Sequence, residues 1–288
     1  MTEFNNEAYE ALVNDLINDA FYLEGASLRG TIAKIRQYAE VVVRRILNLP
    51  KKTKVTLGDE RIISRIKTKN NILLLNAIKT INKMGSKCTH TKLTREITEE
   101  DVKTVIDSLF NLYAYLLINY FEKYEFGTNL EIVRKFSILP PIIRHLTLEY
   151  LYSKYPENIM IIDKLSLVIL KALNKEAAIK WIEERKEKLK TIPSVTKNAE
   201  KDIIEKCGED LARVIVSTAP NMYDLCTERI NLVADDISKN GNLYNDFESA
   251  IDYYRMSGII SGESSDIKEF NSIMEFLYLG RKSKNELN

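Results

Sequence analysis

Apolar residues recur with a helical period along nearly the whole chain, and no stretch of five to eight residues alternates convincingly as a strand would. Over residues 6–24, Leu12, Leu16 and Ala20 fall four apart, flanked by Val13 and Ile17. Gly25-Ala26-Ser27 interrupts this first helix, and Ser27 is placed to cap a second over 28–47. There Leu28, Ile32, Ile35, Ala39, Val42 and Ile46 form one stripe, while Arg36, Glu40, Arg44 and Arg45 look outward. Pro50 ends it, and a basic loop follows with Lys51, Lys52 and Lys54. A third helix is expected from about Asp59 to Lys83, through Ile62, Ile66, Leu73, Ala77 and Ile81, stopping near Gly85. After a Thr-rich connection, Thr98-Glu99-Glu100-Asp101 resembles a capping box with acids on the first turn, where the helix dipole favours them. The fourth helix, about 99–124, carries Val102, Val105, Leu109, Leu112, Leu116 and Tyr120. Four helices of this length close one bundle.

Gly127-Thr128-Asn129 followed by Pro140-Pro141 marks a boundary, because two adjacent prolines do not lie inside a helix. The expected division is therefore a four-helix domain over 1–127 and a helical interaction domain over 130–288. In the second, helices are expected at roughly 141–155, 158–173, 175–190, 196–217, 221–240, 243–257 and 266–279. Asn174 reads as the turn of a helical hairpin. A short strand or wing near Gly258-Ile259-Ile260-Ser261-Gly262 is the one departure entertained from an all-α fold.

Charge changes this picture more than composition does. The 288 residues carry 42 Lys+Arg against 41 Asp+Glu, a near-neutral balance that by itself speaks against polyanionic partners. The distribution reverses that conclusion. Residues 1–28 hold six acids and no Lys or Arg, residues 29–95 hold 17 Lys+Arg against three acids, and the rest is mildly acidic. A net +14 in 67 residues exceeds what solubility requires, since like charges repel and destabilise the compact state. Nucleic acid is the commonest partner for such a patch, held chiefly through phosphates. Arg44, Arg45, Lys51, Lys52, Lys54, Arg61, Arg65, Lys67, Lys69 and Lys87 are the expected contacts. Tyr113, Tyr115, Tyr120 and Tyr124 lie at helical spacing and are expected in core and interface roles in preference to stacking on bases. Trp181 is likewise expected as a core or hairpin-packing residue.

Other chemistries find little purchase. Three scattered cysteines, Cys88, Cys207 and Cys226, suit a reducing cytosol and offer neither a disulfide framework nor a zinc site. Two isolated histidines, His90 and His145, make no metal site, and no phosphate-binding loop, dinucleotide fingerprint or hydrolase elbow is present. The acidic, polar start, Met1-Thr2-Glu3-Phe4-Asn5, is unlike a signal peptide, and no apolar run approaches membrane-spanning length. The expectation is a cytoplasmic protein with no cofactor, no metal and no membrane partner.

Three segments carry a resemblance. Thr31-Ile32-Ala33-Lys34-Ile35-Arg36-Gln37-Tyr38-Ala39-Glu40 holds an R-x-x-x-E pattern on the second helix. Asn82-Lys83-Met84-Gly85-Ser86-Lys87-Cys88-Thr89-His90 forms a turn ending in His, and Thr98-Glu99-Glu100-Asp101-Val102 opens the last helix. Over about residues 5–126 the chain resembles the HEPN superfamily (higher eukaryotes and prokaryotes nucleotide-binding), in its prokaryotic branch of unknown function. That resemblance implies a four-helix domain, a homodimer through the bundle, RNA as a partner ahead of DNA, and a setting in prokaryotic defence or mobile-element systems. For active members it implies metal-independent RNA cleavage by an Arg and a His five residues later, at the dimer interface. Here His90 has Gly85 in place of that Arg, and Ser86 in place of the usual Asn. Arg61 or Arg65 would have to supply the guanidinium from elsewhere. The leading expectation is a non-catalytic nucleic-acid-binding or regulatory protein, with His90 closing the turn between two helices. The alternatives are a metal-independent endoribonuclease using His90, and a scaffold or inhibitor that binds a protein partner through the C-terminal helices.

Overall fold

A computed structural model describes residues 4–90 and 95–287. The Thr-rich connection over 91–94, with Lys92 of the basic tally, lies outside the described residues, as do Met1, Thr2, Glu3 and Asn288. The fold is all-α. Among the described residues there is no strand, only an isolated bridge between Pro193 and Asn221.

After a 3-10 turn at Glu7–Tyr9 come α1 (Glu10–Phe21), α2 (Leu28–Ile46), α3 (Glu60–Lys67), α4 (Ile72–Thr89), α5 (Glu99–Lys123) and α6 (Leu130–Phe136). Next are α7 (Pro141–Lys154), α8 (Ile159–Ala172), α9 (Lys175–Glu183), α10 (Lys186–Lys190), α11 (Lys197–Cys207), α12 (Glu209–Thr218) and α13 (Met222–Asn240). The chain closes with α14 (Phe247–Ser257), α15 (Ser265–Tyr278) and α16 (Lys284–Leu287).

The local signals act as their chemistry requires. Ser27 Oγ accepts from the Gly30 amide at 3.1 Å to start α2. Thr98 and Asp101 form the reciprocal capping box that starts α5, and Arg95 pairs with Asp101 at 2.7 Å. Pro141 occupies the first turn of α7, where its missing N–H costs nothing. The expected third helix is two helices: Asn70 takes a left-handed φ of 48°, which Asn tolerates, and Asn71 Oδ1 then caps α4 through the Leu74 amide at 2.9 Å. Helix α4 also runs past Gly85 to Thr89. Farther on, Gly208 at φ 81° splits the expected 196–217 helix into α11 and α12.

The chain divides into two compact units, and not at the expected boundary. The first comprises residues 1–125, 130–139 and 246–288; the second comprises 126–129 and 140–245. In the first, α2 packs on α1, α4 and α5, α4 runs along α5, and α3 rests on α4. The C-terminal helices return to this unit because the bundle alone leaves aromatic surface to cover. Tyr38, Tyr113 and Tyr120 on α2 and α5 are buried, and Phe276, Phe247 and Phe270 lie against them at ring separations of 6.3, 5.9 and 5.3 Å. Tyr120 Oη donates to the Asp266 carbonyl at 3.2 Å, and Lys123 pairs with Glu269 at 2.7 Å. The expected wing is a loop whose Ile260 amide and carbonyl both bond the Asn271 side-chain amide, so one Asn does the work of a paired strand.

The second unit is built on α8, whose Ile161, Ile162, Leu165 and Val168 are buried against α7, α9 and α13. Buried Asp163 is held by Arg229 and, at 3.5 Å, by Lys164. Half-buried Trp181 on α9 packs edge-on to Tyr152 of α7 at 5.2 Å, a partner outside the α8–α9 hairpin.

Candidate nucleic-acid interface

The basic segment after α2 is an anchored ribbon. Leu47, Leu49, Val55, Leu57, Ile62 and Ile66 are all buried, so the backbone of 47–66 is pinned to the bundle at short intervals. Asn48 turns the chain at φ 48°, and the Arg44 guanidinium ties the loop down by donating to the Pro50 carbonyl at 2.7 Å and the Thr53 carbonyl at 2.5 Å. With the apolar side chains inward, Lys51, Lys52, Lys54, Arg61, Arg65, Lys67 and Lys69 are left exposed. Arg61 is 89% exposed yet forms a fork with Asp59, and those hydrogen bonds hold the Asp59 carboxyl below its usual range. Among the described residues no ion pair engages Lys51, Lys52, Lys54, Lys67 or Lys69, and all five are exposed.

Arg45 does not belong to this surface. It is 9% exposed, with its guanidinium 5.1 Å from the Phe4 ring centroid and 4.8 Å from that of Phe276. It donates to Asn6 Oδ1 at 2.6 Å and Ser272 Oγ at 3.0 Å, and burial lowers its pKa to about 10. Its place is structural, joining the N-terminal segment to α15. Arg44, half-buried, is likewise committed to its loop.

Sequence reasoning missed two cations. Lys79 and Lys83 are exposed on α4 and continue to the half-buried Lys87 at four-residue spacing, about 6 Å per step along one face. The spacing itself was the available signal.

Two of the three segments behind the HEPN resemblance meet. Where α2 crosses α4, Arg36 donates to Asn82 Oδ1 at 3.4 Å and sits 3.6 Å from Glu40, whose pKa burial raises against the pull of Arg36. Gly85 is buried beneath Arg36, and a Cβ added there would lie 2.2 Å from Arg36 Cδ and 2.6 Å from its Cβ. The glycine is thus what permits the crossing, and no longer side chain fits at that position without moving α2. We expect Gly85→Ala to lose about 1–2 kcal/mol in urea unfolding, even though Gly→Ala in an open helix gains about 1 kcal/mol. A raised midpoint would contradict the tight crossing.

The segment leading to His90 is helical up to Thr89, and His90 is the exposed C-cap of α4, its amide donating to the Ser86 carbonyl at 3.2 Å. The neighbouring cation is Arg29, which donates to the Lys87 and Cys88 carbonyls at 3.3 and 3.4 Å and so satisfies the end of α4. Arg29 lies at the start of α2, whereas Arg65 donates to the Leu47 carbonyl at its far end, 3.5 Å away. At 1.5 Å per residue those ends are about 27 Å apart. Within one chain, neither Arg61 nor Arg65 supplies His90 with the missing guanidinium.

Among the described residues no three His, Cys, Asp or Glu side chains are arranged to hold a metal ion, and no helix is long and apolar enough to cross a membrane. Cys88 and Cys226 are buried and Cys207 is exposed, all three free. A comparison with protein-family models, curated proteins and solved structures finds no match to this chain.

Proposed function

We propose that this chain is a non-catalytic, HEPN-like nucleic-acid-binding protein, cytoplasmic and regulatory, with RNA as its preferred polyanion, in a prokaryotic defence or mobile-element setting. The observation that carries the reading is the anchored ribbon. Seven exposed cations sit on 51–69, accompanied by Asp59 and Glu60 as the only acids of that stretch. Anchoring matters because pre-placed charges lose little side-chain and backbone freedom when phosphates bind. The row Lys79, Lys83 and Lys87 extends the positive surface along α4. Against catalysis stand the glycine at 85 and the distance of Arg61 and Arg65 from His90. A protein partner on the C-terminal helices is the second reading, favoured by the exposed stripe Leu211, Val214 and Ile215 on α12.

Labelled RNA and DNA incubated with wild type and His90→Ala in EDTA, run on native and denaturing gels, separate these readings. We expect retarded, intact RNA with both proteins. Cleavage by wild type that His90→Ala abolishes would replace this reading with the ribonuclease. Absence of retardation by either protein would replace it with the protein-binding scaffold.

A further inference from the structure

The first unit also holds the counterpart of its own ribbon. A groove of about 740 Å³ runs between α1, α14, α15 and the turn after α15, floored in part by the parallel ring pair Tyr254 and Tyr278, 4.2 Å apart. Its wall carries Glu7, Glu10 and Asp15 from the segment of the chain that has no Lys or Arg, faced by Glu275. Among the described residues no Lys or Arg forms an ion pair with any of these four carboxylates. The cations that line the groove are otherwise engaged: Arg255 pairs with Glu286 at 3.1 Å, Lys282 donates to Asn18 at 2.8 Å, and Arg281 is buried.

The ribbon of the same chain cannot enter this groove, because Arg44 and the buried Leu49, Val55 and Leu57 fix its backbone with the lysines turned outward. A second copy meets no such restriction. We propose that the groove receives the Lys51–Lys54 loop of another copy of this chain, so that ribbon and groove form a charge-complementary contact between protomers. Opposite potentials confined to separate patches steer such an encounter and weaken with salt. The same lysines then serve self-association and polyanion binding in turn, and bound nucleic acid disperses the assembly. That last consequence rests on the proposed function; the association does not.

Sedimentation velocity tests it with three variants whose folding is checked by circular dichroism: a groove variant (Glu7→Lys, Glu10→Lys, Asp15→Lys), a ribbon variant (Lys51→Glu, Lys52→Glu, Lys54→Glu), and the six-fold combination. At about 50 mM salt wild type is expected to associate with rising concentration, and at about 500 mM to be monomeric. Each triple variant alone is expected to be monomeric, a mixture of the two to associate, and the six-fold variant to regain self-association. A wild type that stays monomeric at low salt, triple variants that associate like wild type, or a mixture that does not associate would each overturn the contact. If association holds but a single-stranded RNA oligonucleotide leaves it intact, the nucleic-acid reading fails and the contact stands.

Discussion

Arg281→Ala is expected to destabilise the first unit by about 3–5 kcal/mol, the range for removing one partner from a buried charge cluster. The guanidinium is 5% exposed and stays charged, lying 4.5 Å from the Phe21 centroid and 4.3 Å from that of Phe247. It donates to Tyr113 Oη at 3.1 Å and sits 3.9 Å from Glu248, which itself accepts from Tyr22 Oη at 2.6 Å. Truncation leaves a cavity between two rings, a phenol without its donor and a carboxylate without its cation. Because these groups come from α1, α5, α14 and the segment after α15, the damage falls on C-terminal docking. Thermal unfolding should fall by about 10 °C, and hydrogen exchange should quicken in α14 and α15 before α8. Arg281→Met keeps much of the packing and should cost about half as much. A shift under about 2 °C for Arg281→Ala would show that the cluster does not hold the unit together.

Reversing Lys51, Lys52 and Lys54 to Glu is expected to cut RNA affinity by two to three decades at about 50 mM salt. Each phosphate left without its cation lowers the slope of log K against log salt by about 0.7 on a single strand, so three such phosphates remove about 2 from it. These lysines are exposed and form no ion pair, and Lys54 alone acts on a half-buried carboxylate, that of Glu40, so the melting temperature should fall by no more than a few degrees. The matched control reverses Lys188, Lys201 and Lys206, exposed on the second unit, for the same change in net charge. Equal losses from both triples would mean that overall charge, not the ribbon, drives binding.

The elements legible in the chain were those set by neighbouring residues. Helices α2 and α5 have long unbroken stripes with caps at Ser27 and Thr98, and both boundaries are where the local chemistry puts them. The break between α3 and α4 was hidden because Ile62, Ile66, Leu73 and Ala77 keep helical spacing across it, while the interruption rests on one left-handed Asn. Helix α6, seven residues long, is too short to show a period. Long-range pairing was the larger gap. Nothing near Arg45 distinguishes it from Arg44; what buries it is Phe4 and Phe276, distant in the chain. The return of 246–288 to the first unit depends on the same kind of contact, aromatic residues of α2 and α5 waiting for partners far downstream. At the candidate site, the ribbon's charges were read directly, since exposure of lysine is the default. Arg45's departure from it and the Gly85–Arg36 crossing needed the three-dimensional packing.

In the proposed function, the anchored, exposed cations on 51–69 bind nucleic acid through its phosphates. Fluorescence anisotropy of a labelled single-stranded RNA against wild-type protein, titrated at salt from about 50 to 200 mM, tests it most directly. Five or more phosphate contacts give a slope of about −3.5 or steeper, and so about a hundredfold fall in affinity across that range. No binding at the lowest salt, or an affinity that changes less than about twofold, would rule out phosphate binding by these cations.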